Sequence, residues 1–255
     1  MHKFQSKLYK PNKPNICILL TATIDSKGVV FMERSDSAIR ENDYIIAMKK
    51  WMKTDFGSIV FCENSGYNLD KIKKIMDDYP DKKTEILQFE GQDFPREYGK
   101  SYGELMNIKY AVDHSRVIKN SDYVLKVNGR YFIKNIEKII DSLSHDKNIY
   151  IMAEFKRNLT VGDSRVFAFN PSFISDYLSK FQDSINDSKG FYFEHALARA
   201  TLGAMSDGHK WVPLPHVPVM IGHSGTTGIK HGIIKDYWLI REIVNSLKNY
   251  LNKRI

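Results

Sequence analysis

Cationic and amide side chains follow directly after an apolar run near the middle of the sequence. The run at residues 121–127 reads SDYVLKV and ends in Asn128-Gly129-Arg130, before an amphipathic helical pattern. A guanidinium group is permanently charged and pairs bidentately with phosphate oxygens. Arg130, together with Lys126, is therefore a candidate phosphate ligand. An Asn-Gly β-turn that carries an exposed arginine is the alternative interpretation.

Two further segments combine glycines with groups that bind anions. In FPREYGKSYGE, residues 94–104, Arg96 and Lys100 precede a predicted helix, whose N-terminus favours an anion such as diphosphate. A solvated basic loop explains the same residues. The later segment IGHSGTTG, residues 221–228, supplies hydroxyls and flexible backbone, although it is not a GxxxxGK[ST] phosphate loop. Its predicted phosphate-binding residues are His223, Ser224, Gly225 and Thr226.

Small and polar residues also follow the first two apolar runs. Thr21-Ala22-Thr23 comes after NICILL, and Glu63-Asn64-Ser65 comes after GSIVFC. If these two strand ends lie side by side, they predict a nucleotide pocket in which both groups of residues contact the bound nucleotide. Helix capping by Asn64 or Ser65 is the local alternative.

Short apolar runs alternate with helical patterns along the chain, which predicts βαβ units and a mostly parallel sheet with helices on both faces. Ligands bind such sheets beyond the carboxyl ends of the strands, where the polar groups above fall. The predicted strands are residues 15–21, 57–63, 84–89, 122–127, 148–154 and 164–169. The predicted helices are residues 36–53, 68–79, 103–118, 133–143, 171–181 and 191–202.

Taken in order, these segments resemble bacterial glycosyltransferases of surface-polysaccharide assembly, which build capsule or lipopolysaccharide and have a GT-A-like, Rossmann-like α/β fold. The resemblance spans residues 15–228. In that family the central strand ends in a DxD motif, whose acidic pair holds a divalent metal on the donor diphosphate. Here Asn128 and Arg130 stand at the two acidic positions. This departure from the family pattern predicts an enzyme without metal or other cofactor, in which Arg130 replaces the cation, while a requirement for Mg²⁺ or Mn²⁺ stays the alternative.

The same resemblance implies roles for residues of the second half of the chain. Glu194 matches the acidic residue that deprotonates the acceptor hydroxyl, and His195 is the rival base because its ordinary pKa suits the task. Asp163 is a further catalytic candidate, while Arg165 and Tyr192 are expected to contact the acceptor. Structural roles are the alternatives for these residues. Glu194 would then be a negative charge favoured at a helix N-terminus, and Asp163 would form an ion pair with Arg165.

The overall charge and the chain termini bear on location. The 255 residues contain 38 Lys and Arg against 30 Asp and Glu, a net charge of +8 that favours anionic partners. No secretory signal and no apolar run of about 18 residues is seen, so we expect a cytoplasmic protein. Residues 233–255 form a basic amphipathic pattern, set apart from a domain at residues 1–232. This tail either packs on the domain or lies on the inner face of the cytoplasmic membrane.

The predicted function is transfer of a sugar from a nucleotide-sugar donor to a glycan or lipid-linked glycan acceptor. Inversion at the anomeric carbon is the favoured outcome, and a retaining mechanism, which needs no base on the acceptor side, stays open. Two alternatives from other classes stay open. One is a nucleotide-sugar-binding protein without transferase activity. The other is a basic polyanion- or RNA-binding module, although no common nucleic-acid motif is present and we expect no nucleic-acid partner.

Overall fold

The computed structural model describes residues 14–26, 34–224 and 228–231, together with Ile243 and Leu247. The predicted tail at residues 233–255 therefore lies outside the described residues, apart from Ile243 and Leu247, which are helical and more than half exposed. The boundary after residue 232 stays a prediction. Within the described residues, no helix is long and apolar enough to cross a membrane.

Strands and helices alternate through most of the chain, as the apolar runs predict. The strands are β1 (Ile16–Ala22), β2 (Ser58–Glu63), β3 (Thr84–Gln88), β4 (Tyr123–Asn128), β5 (Phe132–Ile133), β6 (Ile149–Met152), β7 (Phe155–Lys156), β8 (Val161–Gly162), β9 (Val166–Phe169), β10 (Lys210–Val212), β11 (Met220–His223) and β12 (Lys230–His231). The α-helices are α1 (Ser37–Trp51), α2 (Asp70–Asp77), α3 (Gly99–His114), α4 (Arg116–Lys119), α5 (Ile136–His145), α6 (Ser172–Asp176) and α7 (Phe193–Ser206). Short 3₁₀ turns lie at Arg96–Tyr98, Leu178–Ser184 and Asp187–Lys189.

A central sheet of the described region has seven strands in the order β10-β6-β9-β4-β1-β2-β3. Neighbours are parallel except at β9, which runs antiparallel to both β4 and β6. This confirms the predicted mostly parallel α/β sheet. The direction of β9 was not predicted, because a strand's hydrophobic pattern does not encode the direction in which it pairs.

Helices cover both faces of the sheet, which explains why the central strands are mostly apolar. In β1, Ile18 and Leu20 belong to a core shared with α1, α2 and α5, whereas Cys17 and Leu19 belong to a core shared with α3 and α7. Alternate residues of a strand face opposite ways, so a sheet buried on both sides has no room for polar residues until a strand ends. The strand ends therefore gather the chemistry-bearing side chains.

The inward face of α1 differs from the predicted one. The sequence predicts an inward stripe through Ile39, Ile45, Ile46, Met48 and Trp51; Met48 and Trp51 are buried as predicted, whereas Ile39 and Ile46 are 46% and 47% exposed. The buried face instead carries Arg40 and Tyr44, followed by Met48 and Trp51. The helical spacing of this face is equally regular, but its first member is a charged residue. An arginine thus reaches the interior beside the carboxyl end of β1.

Two other helices also depart from their predicted limits. The predicted helix at 103–118 begins earlier, at Gly99, and breaks at Ser115, whose extended backbone and hydroxyl cap the short α4 through Ile118 N. The predicted helix at 171–181 becomes α6 followed by a 3₁₀ segment. These changes leave the layer architecture intact.

Trp51 ties α1 to the turn after β4 and gives a test of this packing. Its fully buried ring donates from Nε1 to the Tyr131 carbonyl oxygen at 2.9 Å. We expect Trp51→Phe to lower the free energy of unfolding by about 1–3 kcal/mol, because the buried carbonyl loses its donor. Urea denaturation measures the change. Trp211→Phe is the matched control, since its ring makes the same kind of bond to Ala153 O at the half-buried sheet edge; an equal or larger loss there would contradict this account.

Candidate functional site

A cavity of about 250 Å³ opens at the carboxyl ends of β1 and β4, the two strands at the centre of the sheet. The ends of these strands lie side by side, with Thr21 opposite Asn128. Residues from the starts of α3 and α7 and from α1 complete the wall. The predicted site residues that line the cavity are Thr21, Ala22, Thr23, Lys100, Lys126, Asn128, Arg130, Arg165, Glu194 and Ser224.

Arg130 lies in this wall with unsatisfied donors. Its side chain is only 8% exposed, and its Nε and Nη1 atoms are buried without a hydrogen-bond partner among the described residues. The guanidinium carbon lies 5.9 Å from the ring centroid of Tyr44, a weakly favourable contact. A buried cationic donor without an acceptor costs free energy, and structures satisfy nearly all such groups. The geometry is that of a site whose acceptor arrives with a ligand.

Gly129 sets the position of Arg130. Its N–H donates to Thr21 O at 2.8 Å, so the backbone after β4 lies tight against β1. A Cβ atom at this position would approach Thr21 O to 2.9 Å and the Tyr44 ring to 3.2 Å. Only a residue without a side chain allows the close approach that brings Arg130 to the cavity.

Lys126 is a different kind of cation from Arg130. Its ammonium group is almost fully buried, forms an ion pair with Glu104 and donates to Ser164 O at 2.6 Å. Thr21 Oγ1 also donates to Glu104 Oε1, at 3.1 Å. The charge of Lys126 is therefore balanced within the protein, which makes Arg130 the stronger candidate for binding phosphate.

The donors at the end of β4 do not fit a divalent metal ion. Lys126 and Arg130 are cationic, Asn128 offers a neutral amide, and the carboxylate of Glu104 is engaged by Lys126. Across the described part of the chain, no group of three His, Cys, Asp or Glu side chains is placed to hold a metal. Hard divalent cations need several oxygen ligands, usually including carboxylates. The side chains here suit an anion.

Glu63, Asn64 and Ser65 lie behind the cavity wall rather than in it. Glu63 is fully buried and accepts from Ile24 N at 2.9 Å, from Ser65 N at 3.0 Å and from the Ser65 hydroxyl. Asn64 accepts from Thr23 Oγ1 at 2.6 Å and donates to Gly103 O at 3.1 Å. These side chains brace the loop after β1. Their polar groups are already occupied, so they shape the cavity without touching its contents.

Of the two candidates for the general base, one lies in the cavity wall and the other does not. Glu194, in the first turn of α7, lines the cavity and accepts from Ser164 Oγ at 2.7 Å. His195 is turned to the helix terminus, where its Nδ1 accepts from Tyr192 N at 3.1 Å and its ring stacks on Tyr192. Because Nδ1 accepts a bond, it is not protonated in this arrangement. Glu194 is therefore the better placed of the two bases.

Asp163 is held by Arg165 rather than directed into the cavity. Arg165 Nε donates to Asp163 Oδ1 at 2.8 Å, a second nitrogen of the guanidinium pairs with Oδ2, and Lys156 Nζ lies 3.8 Å from Oδ2. Burial acts to raise the pKa of Asp163, but the bonds and charge of Arg165 outweigh it and hold this pKa below its usual range. Arg165 itself lines the cavity.

The remaining predicted residues lie in several places. Arg96 is exposed on a 3₁₀ turn, Tyr192 is 41% exposed, and the Nδ1 atom of His223 lies 3.4 Å from Asp43 Oδ1. None of these three lines the cavity. Gly225 and Thr226 lie outside the described residues, whereas their neighbour Ser224 reaches the wall.

Several lining residues were not predicted. Arg40 donates from Nε to Thr23 O and Ile24 O, both at 3.0 Å, and so clamps the loop after β1. The signal for Arg40 and Tyr44 was their helical spacing with Trp51, which a search for apolar stripes passes over. The other lining residues that were not predicted as site residues are Ser26, Gln92, Phe94, Ser101, Gly103, Glu104, Tyr131, Ser164 and Phe193.

Positive charge dominates the described lining. Five lining side chains are cationic and two are carboxylates, one of which is Glu104. A surplus of cations in a concave, partly buried site attracts an anionic ligand. The site therefore combines a cationic strand end with a cavity carboxylate that accepts a bond from a serine.

No family model matches the sequence, and a comparison with curated proteins finds no match. Among solved structures, core-mannan synthase A from Aspergillus fumigatus, in its Mn/GDP form, is similar at a TM-score of 0.51 and 13% identity, over 93% of this chain and 86% of that chain. At this identity the likeness establishes the fold. The chain has a GT-A-like α/β fold, as the sequence predicted.

Two further structures are similar at lower scores. A putative nucleotide-diphospho-sugar transferase from Desulfovibrio desulfuricans G20 has a TM-score of 0.44 and 11% identity, over 79% of this chain and 80% of that one. A cytidylyltransferase from Leptospira borgpetersenii has a TM-score of 0.45 and 12% identity, over 82% of each chain.

The Asp163–Arg165 pair gives a pH-dependent test of the site's architecture. Since the pKa of Asp163 is lowered by folding, its contribution to stability is complete above the ordinary carboxyl pKa of about 4 and is lost as pH falls through the lowered value. We expect Asp163→Asn to cost about 1–2 kcal/mol at pH 7, a modest figure because Arg165 is partly exposed and solvent screens the pair.

Chemical denaturation of both proteins from neutral to acidic pH measures this difference. The gap between wild type and Asp163→Asn should narrow only below about pH 4. Asp183→Asn, at an exposed carboxylate, is the control and should show no gap. A gap that persists unchanged into acid would show that the charge of Asp163 is not what stabilises this region.

Proposed function

We propose that the protein is a glycosyltransferase that moves a sugar from a nucleotide-activated donor to a glycan acceptor without a metal ion. The observation that carries the proposal is the buried guanidinium of Arg130, with two unpartnered nitrogens at the carboxyl end of a central strand. The GT-A-like fold is consistent with it, because open α/β sheets bind their ligands at this edge.

A diphosphate fits the open donors of Arg130 for electrostatic reasons. A phosphate oxygen would accept from Nε or Nη1 and would at the same time provide the counter-charge that the protein does not supply there. Lys100 lies across the cavity at the start of α3, where the helix N-terminus adds further positive potential. As the bond to the sugar breaks, negative charge grows on the leaving diphosphate, and fixed cations at this point stabilise it.

Glu194 is the proposed general base. Its carboxylate would take the proton of the acceptor hydroxyl while that oxygen forms a bond to the anomeric carbon and the bond from this carbon to the diphosphate oxygen breaks. The nucleoside diphosphate leaves with the bonding electrons, and the configuration inverts. The hydroxyl of Ser164 holds one carboxylate oxygen, so the other is available for the acceptor.

The proposed setting is surface-polysaccharide assembly at the inner face of the cytoplasmic membrane, with a glycan or lipid-linked glycan acceptor. The net charge of +8 and the exposed Ile243 and Leu247 in the tail support contact with an anionic surface. A basic module for polyanions is less well supported, because the cations of the site line a cavity instead of a continuous outer face.

Arg130→Ala tests the phosphate role. We expect UDP, GDP or CDP, in the presence of EDTA, to raise the melting temperature of the wild type, since a ligand that binds the folded state stabilises it. Loss of a charge-assisted bond of about 1.5–3 kcal/mol should weaken that affinity by roughly 10- to 100-fold. Arg130→Lys should fall between the two, because it keeps the charge and loses the planar fork.

Arg116→Ala is the matched control, because it removes one positive charge from an exposed position at the start of α4. It should bind nucleotide like the wild type. Unchanged affinity in Arg130→Ala would overturn the assignment of Arg130. Stabilisation that disappears with EDTA and returns with Mn²⁺ would show that a metal is required after all.

Glu194→Gln tests the base. A thermal-shift comparison of nucleotide sugars first identifies the donor. With that donor, we expect the variant to release nucleoside diphosphate at least about 100-fold more slowly than the wild type, with donor affinity preserved. His195→Gln is the comparison variant and should keep most of its turnover, since its ring serves the helix terminus. If Glu194→Gln retains turnover and His195→Gln does not, the base is His195. Donor binding without turnover in the wild type would favour a binding protein.

A further inference from the structure

An apolar groove lies along α7 and shares no lining residue with the cavity described above. Its lining includes Leu202 and Met205 of α7, Leu159 of the turn between β7 and β8, and Trp211 of β10. Leu159, Leu202 and Met205 are 36%, 43% and 38% exposed. Apolar side chains that are both contiguous and exposed mark an interaction surface more often than isolated ones do.

The backbone that presents Leu159 is unusual. Arg157, Asn158 and Leu159 all have positive φ angles, of 51°, 55° and 61°, in the turn between β7 and β8. Residues with side chains rarely adopt this region, and glycine would fit it better. The turn is closed by Thr160, whose N–H and hydroxyl both donate to Arg157 O, at 3.3 and 2.6 Å. A strained turn that holds a leucine at the surface points to a use for that side chain.

Two exposed arginines lie close in sequence to these apolar side chains. Arg157 precedes Leu159 in the same turn, and Arg199 lies one turn before Leu202 on the exposed side of α7, with its guanidinium carbon 4.7 Å from the ring centroid of Phe191. Neither guanidinium has a carboxylate partner among the described residues. Of the carboxylates in the same part of the sequence, Asp163 is paired with Arg165, and Asp207 accepts from the hydroxyl of Tyr177. The two arginines therefore add positive charge to this exposed surface.

We propose that this surface, formed by Leu159, Leu202, Met205, Arg157 and Arg199 and named here the α7 surface, binds an anionic lipid bilayer. The apolar side chains would enter the boundary between headgroups and acyl chains, and the arginines would pair with lipid phosphates. Exposed apolar residues beside unpaired cations are the combination that binds such membranes. Trp211 suits the same boundary, where amphipathic aromatic rings are enriched.

The position of the α7 surface relative to the cavity gives the contact a purpose. Glu194 lines the cavity in the first turn of α7, and Leu202 follows eight residues later on the same helix. This separation corresponds to about 12 Å along the helix axis. A bilayer bound there would keep the cavity near lipid-linked molecules. That consequence rests on the proposed function, whereas the membrane contact itself does not.

Co-sedimentation of the full chain with phosphatidylcholine vesicles containing roughly one-third phosphatidylglycerol tests the proposal. We expect the wild type to bind, and Leu159→Ser/Leu202→Ser to bind at least about tenfold more weakly, because apolar area no longer enters the lipid. Arg157→Ser/Arg199→Ser should lose about fivefold per arginine on these vesicles, and little on pure phosphatidylcholine. If Leu159→Ser/Leu202→Ser does not fold, vesicle binding by Arg157→Ser/Arg199→Ser tests the proposal by itself.

Ile39→Ser/Ile46→Ser on α1 is the matched control, because those side chains are at least as exposed but lie on another helix. It should bind vesicles like the wild type. Three results would overturn the proposal. The first is a wild type that does not bind the vesicles. The second is unchanged binding in both α7-surface variants together with loss of binding in Ile243→Ser/Leu247→Ser. The third is a wild-type dimer in sedimentation velocity that becomes a monomer in Leu159→Ser/Leu202→Ser. Nucleotide binding, measured separately, reports on the proposed function alone.

Discussion

A buried guanidinium without a counter-charge is the constraint around which this site is organised. Arg130 is brought to the cavity wall because Gly129 lets the end of β4 lie against β1. The nearby carboxylate of Glu104 does not neutralise it, since Glu104 is paired with Lys126. Leaving a buried charge unpaired is costly. An anion bound in the cavity would supply the missing counter-charge, and this would link the stability of the fold to ligand binding.

Other buried charges in the same region are fully used, and their task is to hold the loop after β1. Glu63 accepts from the backbone of residues 24 and 65, while Arg40 donates to the carbonyls of Thr23 and Ile24. A carboxylate thus binds a backbone N–H group of this short loop, and a guanidinium binds its carbonyl oxygens. Donors and acceptors fixed in this way need little rearrangement when charge develops on a ligand, which is how preorganised sites act. The loop after β1 is thus held by these bonds, whereas Arg130 keeps two nitrogens without an acceptor among the described residues.

The sheet and the strand-end residues were predictable because both depend on local pattern. Apolar runs of strand length, separated by helical periods, specify a sheet buried on two faces, and the first polar residues after a strand must lie at its edge. Arg130 was singled out in this way, whereas Glu194 was singled out by the resemblance to a known family. Arg40 and Tyr44 were missed because a charge begins the inward stripe of α1. The hydrogen bond of Glu63 to Ile24 N and the ion pair of Lys126 with Glu104 join distant segments, which single-sequence patterns do not encode.

A divalent cation and Arg130 are alternative solutions to one electrostatic problem. In the proposed reaction, either would place positive charge where the diphosphate of a departing nucleotide accumulates negative charge. A divalent metal ion would need oxygen ligands, usually including carboxylates, whereas the chain has Asn128 and Arg130 at the end of β4. Arg130 and Lys126 line the same cavity, and the ion pair of Lys126 with Glu104 reduces the repulsion between these two cations. This pairing leaves Arg130, which has no carboxylate partner among the described residues, as the cation that an anionic ligand would meet.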